Sequence, residues 1–120
     1  MDQSEFSADG IPLQALIDEG QWQRLKSELG EEMLTEFAQE YIQETLDSWV
    51  DTSTDPLTLP DATFKSLAHR SAGAAGTIGF KRLRYSFLCM EHLADHGHRS
   101  MFLQLMKGTL ADTQSWLGQQ

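Results

Sequence analysis

Apolar residues recur at three- and four-residue intervals along nearly the whole chain, and no segment shows the two-residue alternation of a strand with hairpin chemistry. The pattern predicts an all-α protein. A short N-terminal element carries Leu13, Leu16 and Ile17, and a second, after Gly20, carries Trp22, Leu25 and Leu29. The first long helix is predicted from about Glu31 to Val50, with Leu34, Phe37, Ala38, Tyr41, Thr45 and Trp49 on one stripe. Glu31 and Glu32 suit the positive end of its dipole. The segment TSTDPLTLPD (Thr52 to Asp61) holds two of the three prolines and is the longest predicted loop. A second long helix follows from about Ala62 to Ile78, with Asp61 as its cap and Gly79 as the residue that ends it. A third runs from about Lys81 to His96, with Leu83, Phe87, Met90 and Ala94 inward and Gly97 as its stop. Ser100 is the expected N-cap of the last, which buries Phe102, Met106, Leu110 and Leu117 or Trp116. Together these elements predict an antiparallel four-helix bundle with short extra N-terminal helices. At 120 residues the chain forms one domain with a single core, and residues 1–10 are expected to be a flexible lead-in.

Within the second long helix, LAHRSAGAAGTIGF (Leu67 to Phe80) interrupts good helix formers with glycine. Each interior glycine costs about 1 kcal/mol relative to alanine, so Gly73 and Gly76 need a reason. At ~100° per residue, Phe64, Leu67, Ala68, Ser71, Ala75 and Ile78 form the core stripe, and His69 points about 150° away from its centre. Lys65, Ser66, Ala72, Gly73 and Gly76 share the histidine's face. Small residues ordinarily mark close helix packing. Here they fall opposite the apolar stripe, which predicts a flat surface that lets another protein's backbone approach His69.

Charge sharpens that reading. The net charge is −9, yet residues 62–90 contain Lys65, Arg70, Lys81, Arg82 and Arg84 and no acid, while all eighteen acids lie elsewhere. The acidic total argues against a nucleic-acid partner, and the local basic window suits an acidic protein. No apolar run approaches the ~18 residues of a membrane span, and no basic segment followed by an apolar one opens the chain. A soluble, monomeric cytoplasmic protein is expected. Cys89 is the only cysteine, so no internal disulfide or cysteine-based zinc site exists. It sits on an apolar helix, where a core role outweighs a thiol nucleophile paired with His92.

The spacing of Gly73, Gly76 and Gly79 matches neither GxGxxG nor GxxxxGK[ST], and no strand precedes it, so a nucleotide loop is not expected. EHLADHGH places His92 and His96 four apart near Asp95 and His98, which raises a metal-binding bundle as an alternative. An exposed imidazole is itself a sufficient nucleophile, since its neutral form is populated at physiological pH.

AHRSAGAAGTIGF, followed by a helix reading LxxxFLCMEHL, resembles the histidine-containing phosphotransfer (HPt) domains of two-component phosphorelays, whose reactive histidine lies in HxxKGxxxxxG. GEEMLTEFAQEYIQETL is similar to the preceding helix of that family, so the resemblance spans most of the chain. It implies that His69 accepts the phosphoryl group, and it matches Gly73 and Gly79 to the family glycines. Ala72 stands where the family often has lysine. Lys65, and Arg70 if it reaches across, are then the residues to balance the phosphoryl charge, while Lys81, Arg82 and Arg84 guide a partner. The implied partners are receiver domains of response regulators or a hybrid sensor histidine kinase. The implied chain has no cofactor of its own, Mg²⁺ coming with the receiver. A docking module of the same fold that carries no phosphate is the alternative from a different class. Met1 favours a free-standing protein over a piece of a hybrid kinase.

Overall fold

The computed structural model describes residues 6–95 and 97–120. Among these, regular structure is helical throughout: α1 (Glu19–Leu29), α2 (Glu31–Trp49), α3 (Asp61–Ile78), α4 (Lys81–Leu93) and α5 (Arg99–Leu117), with 3-10 turns at Ala8–Gly10 and Pro56–Thr58. The four long helices α2 to α5 form the bundle, and α1 packs against α2 and α3. None of the described helices is long and apolar enough to cross a membrane.

Local chemistry sets most of the boundaries. The Asp18 carboxylate accepts the Gln21 N–H and caps α1. Gly30, at φ 87°, separates α1 from α2, and Gly79, at φ 98°, ends α3 in the left-handed conformation that glycine adopts without penalty. The Gly79 carbonyl accepts the Asp18 N–H at 2.8 Å, so the α3–α4 turn is tied to the segment that leads into α1. Aromatic rings fill the two ends of the core. Trp49 meets Phe64 and Phe87 at 5.5 and 5.6 Å, and Trp22 meets Trp116 at 4.8 Å.

Several expectations shift. Residues 11–18 form no helix, and Leu13 is exposed. Of the expected flexible lead-in at 1–10, Phe6, Ser7 and Gly10 lie against Tyr85 of α4, and residues 1–5 lie outside the described ones. On α2 the stripe continues through Ile42 rather than Phe37, which lies about 90° from its centre and is exposed. Asp61 is the first residue of α3 rather than its cap. Its carboxylate instead accepts from the Arg99 guanidinium at 2.6 Å. Arg99 is 1% exposed; it also donates to the Leu59 carbonyl at 2.6 Å and lies over the Phe64 ring. This clamp holds the α2–α3 loop to the start of α5, which begins at Arg99 without a side-chain cap, so that Ser100, expected to cap it, lies in its first turn. Helix α4 stops at Leu93, because Asp95 turns the chain by accepting from the Gly97 N–H and from His98 Nδ1.

The most consequential shift is on α3. Its buried residues are Phe64, Ala68, Ala72 and Ala75, with Leu67, Ser71 and Ile78 only half-buried. The centre of the stripe is thus rotated by about 45° from the expected one, toward the face that α4 covers. Small side chains at Ala68, Ala72 and Ala75 let α4 approach closely.

Candidate functional site

The α3–α4 hairpin pivots on Phe80. His69 lies eleven residues before it and Glu91 eleven after, and an antiparallel hairpin brings such positions face to face. His69 Nδ1 is 3.1 Å from both carboxylate oxygens of Glu91. Gly76 and Arg84, four residues on either side of Phe80, meet in the same way. The rotation of the α3 stripe explains the pairing. It carries His69 from the middle of the solvent face to the margin beside α4.

The histidine side chain is nevertheless 71% exposed, whereas Glu91 is 18% exposed. An ionised carboxylate only accepts hydrogen bonds, so the neutral imidazole donates through Nδ1–H and keeps its lone pair on Nε2. Nε2 has no partner among the described residues. The site therefore presents an exposed nucleophilic nitrogen whose tautomer and ring orientation are set from behind, with a carboxylate placed to stabilise positive charge that develops on the ring. Glu91 also lies 3.7 Å from His92 Nε2.

The expected site residues fall into three groups. Lys65 and Ser66, on the preceding turn, are exposed on the histidine's side, and Lys65 makes no ion pair among the described residues. Gly73, Gly76, Lys81 and Arg84 line an open groove of about 470 Å³ together with Asp18, Thr77 and Gly79. A Cβ added at Gly73 would meet nothing within 4 Å, so that glycine leaves the surface flat. The remaining residues are placed elsewhere. Arg70 lines a separate depression of about 150 Å³ between α2 and α3, beside Tyr41, Glu44 and Ser71. Ala72 is 2% exposed and belongs to the core, not to a docking surface. Its side chain faces the interior because α3 is covered by α2 on one side and α4 on the other. Arg82 is engaged inside the molecule: its Nε donates to the Gln14 carbonyl at 2.9 Å and its Nη1 lies 3.9 Å from Asp112. It fastens the N-terminal segment to α4 and is not free to guide a partner. Gly76 also departs from the expected role. Its missing side chain makes room for the Arg84 stem, whose Cδ would lie 2.9 Å from an added Cβ.

Glu91 was not among the expected site residues. Face assignment within one helix cannot reveal it, but counting outward from the Gly79–Phe80 turn does. For the metal alternative, no group of three or more His, Cys, Asp or Glu among the described residues is arranged to hold an ion, and His96 lies outside them. Cys89 is buried, and burial pushes its thiol up to about 11, which makes it a poor nucleophile. Known proteins add no further guide: no family model matches the chain, and no match is found among curated proteins or solved structures.

Proposed function

We propose that the protein is a phosphorelay carrier that accepts a phosphoryl group on His69 Nε2 from an aspartyl phosphate and passes it to a second aspartate, as the HPt domains it resembles do. The observation that carries this reading is the His69–Glu91 pair, which frees Nε2 toward solvent while holding Nδ1–H. In the forward step the Nε2 lone pair forms a P–N bond as the P–O bond to the donor carboxylate breaks, and that carboxylate departs with the electron pair. The Nδ1 proton stays on the ring, which becomes a phosphorylated imidazolium facing Glu91. No proton has to leave, and the reverse step restores the neutral imidazole.

Phosphoryl transfer depends chiefly on alignment and charge neutralisation. The partner is a receiver domain that supplies the aspartate and its Mg²⁺. Gly73 leaves its surface room to approach, Lys65 adds positive charge on the histidine's side, and Lys81 and Arg84 offer cations along the adjoining groove that make no ion pair among the described residues. The acids elsewhere on the chain repel an acidic partner from other orientations.

The test is to charge receiver domains with a small acyl phosphate and follow phosphate onto this chain. A label that is stable in alkali, lost in acid and absent in His69→Gln supports the carrier. Receiver binding without any label, unchanged in His69→Gln, would replace it with a docking module.

A further inference from the structure

His69 and Glu91 are the inner end of a longer series of contacts. Glu91 has three rotatable bonds, and freezing such a side chain is entropically costly. One hydrogen bond to an exposed histidine is a weak restraint on it. A second restraint comes from the neighbouring residue: His92 Nε2 lies 3.7 Å from Glu91 Oε1, too long for a hydrogen bond but close enough for the N–H dipole of the neutral ring to attract the carboxylate.

His92 is itself held from outside the hairpin. The Phe6 ring stacks on it with centroids 5.3 Å apart and planes only 3° from parallel. Phe6 also meets the edge of Tyr85 at 5.5 Å. The Phe6–Gly10 strap is fixed along α4 by three further contacts. The Ser7 N–H donates to the Tyr85 hydroxyl at 3.1 Å, and Cys89 Sγ lies 3.7 Å from the Ser7 carbonyl. Gly10 supplies the third, passing so close under Tyr85 that an added Cβ would collide with the Tyr85 hydroxyl. Contacts thus run from the strap through Phe6, His92 and Glu91 to the Nδ1 of His69.

We propose that His92 is a positioning residue for His69: clamped against Phe6, it keeps the Glu91 carboxylate turned toward His69 Nδ1, so docking of the N-terminal strap on α4 sets the tautomer of the exposed imidazole. The consequence for phosphate transfer rests on the carrier reading; the effect on the tautomer does not. Anything that lifts the strap releases Glu91 and leaves His69 to the Nε2–H form that an unrestrained imidazole favours. That form has its lone pair on the nitrogen facing away from solvent.

The experiment is long-range ¹H–¹⁵N correlation of the imidazole nitrogens in the full chain, at a pH where the histidines are neutral. Wild type is compared with Glu91→Ala, His92→Ala, His92→Phe, Phe6→Ala and the Phe6→Ala/His92→Ala double variant. Wild-type His69 is expected to be mainly Nδ1–H, and Glu91→Ala to lose that form. His92→Ala and Phe6→Ala should each give an intermediate population, and the double variant should go no further than His92→Ala, because the two act in series. His92→Phe keeps a ring for Phe6 but removes the nitrogen, and it should behave as His92→Ala. Wild-type His69 shifts in His92→Phe or Phe6→Ala, alongside altered shifts in Glu91→Ala, would overturn the proposal. So would wild-type shifts in Glu91→Ala itself. Labelling by phosphoramidate, which needs no partner protein, should slow several-fold in His92→Phe. If wild type takes no label at all, the carrier reading fails while the tautomer result stands.

Discussion

Gly76 of α3 and Arg84 of α4 occupy one another's space: the arginine stem lies where a side chain on the glycine would be, its Cδ 2.9 Å from an ideal Cβ and its Nε 3.3 Å. The two glycines on the histidine's face thus do different things. Gly76 seats a cation beside the groove, and Gly73 leaves the surface open. Gly73→Ala should stabilise the protein by about 0.5–1 kcal/mol, as a better helix former in empty space. Gly76→Ala should gain less, because Arg84 has to move. Urea midpoints of the two variants decide this, and equal gains would show that the Arg84 contact has no cost. The bulkier Gly73→Gln should take label from phosphoramidate as wild type does, yet slow transfer from a receiver by about tenfold, equal to about 1.4 kcal/mol of lost docking.

Glu91→Gln should separate orientation from charge. The amide oxygen still accepts from Nδ1–H, so the tautomer is kept, but the ring loses its counter-charge when it becomes a phosphorylated imidazolium. Label on His69 should therefore form about 100-fold more slowly, at the lower end of the range for removing one electrostatic stabiliser. A Glu91→Gln rate equal to wild type would confine the glutamate to orienting the ring.

Lys65 is exposed and makes no ion pair among the described residues. Lys65→Ala should slow receiver-to-His69 transfer several-fold at low salt and much less at 1 M salt, where the screening length falls to about 3 Å. A salt-independent effect would point to a packing role instead.

The legible and illegible parts of this fold divide along a physical line. Helical periodicity follows from each helix's own burial pattern, so the four long helices, the Gly79 stop and the inward faces of α4 and α5 were all visible in it. Ala72 was misassigned because alanine marks neither a core nor a surface position, and a helix covered on two sides buries a wider stripe than one covered on one side. Phe37 shows the reverse error, a large apolar residue left at the margin of its stripe. Glu91, the Arg99–Asp61 pair and the Phe6–His92 stack depend on how separate elements meet, which no single-helix period encodes. Arg99 in particular has the local sequence of an ordinary surface cation.

Arg99 should prove expensive to remove. Arg99→Ala leaves the Leu57 and Leu59 carbonyls without their donor and a void beside Phe64, and should cost about 2–4 kcal/mol in chemical denaturation. Arg99→Lys should recover little, since an ammonium cannot reach both carbonyls and Asp61 as a planar fork does. Substantial rescue by lysine would mean that charge alone matters at this position.

Alkaline stability should report the buried thiol. Burial raises the Cys89 pKa from 9.0 to about 11, so the folded state holds a proton that the unfolded chain releases first. This contribution is fully present below pH 9, falls as pH rises from 9 to 11 and is constant above. The Tyr41 phenol, also pushed upward by burial and donating to the Ser71 carbonyl, extends the loss above pH 10. Urea midpoints of Cys89→Ala should decline less steeply than wild type between pH 9 and 10. Parallel curves would remove the thiol from the account.

The pivot at Phe80 has a consequence for the order in which the chain folds. His69 and Glu91 are only 22 positions apart, joined by a hairpin whose turn is built in by Gly79, so the entropy of bringing them together is that of one short closure. Contacts of this kind form early, before elements distant in sequence are gathered. Sequence separation therefore predicts that His69 meets Glu91 before the N-terminal strap, whose Ser7 lies 78 positions from its partner Tyr85, docks on α4.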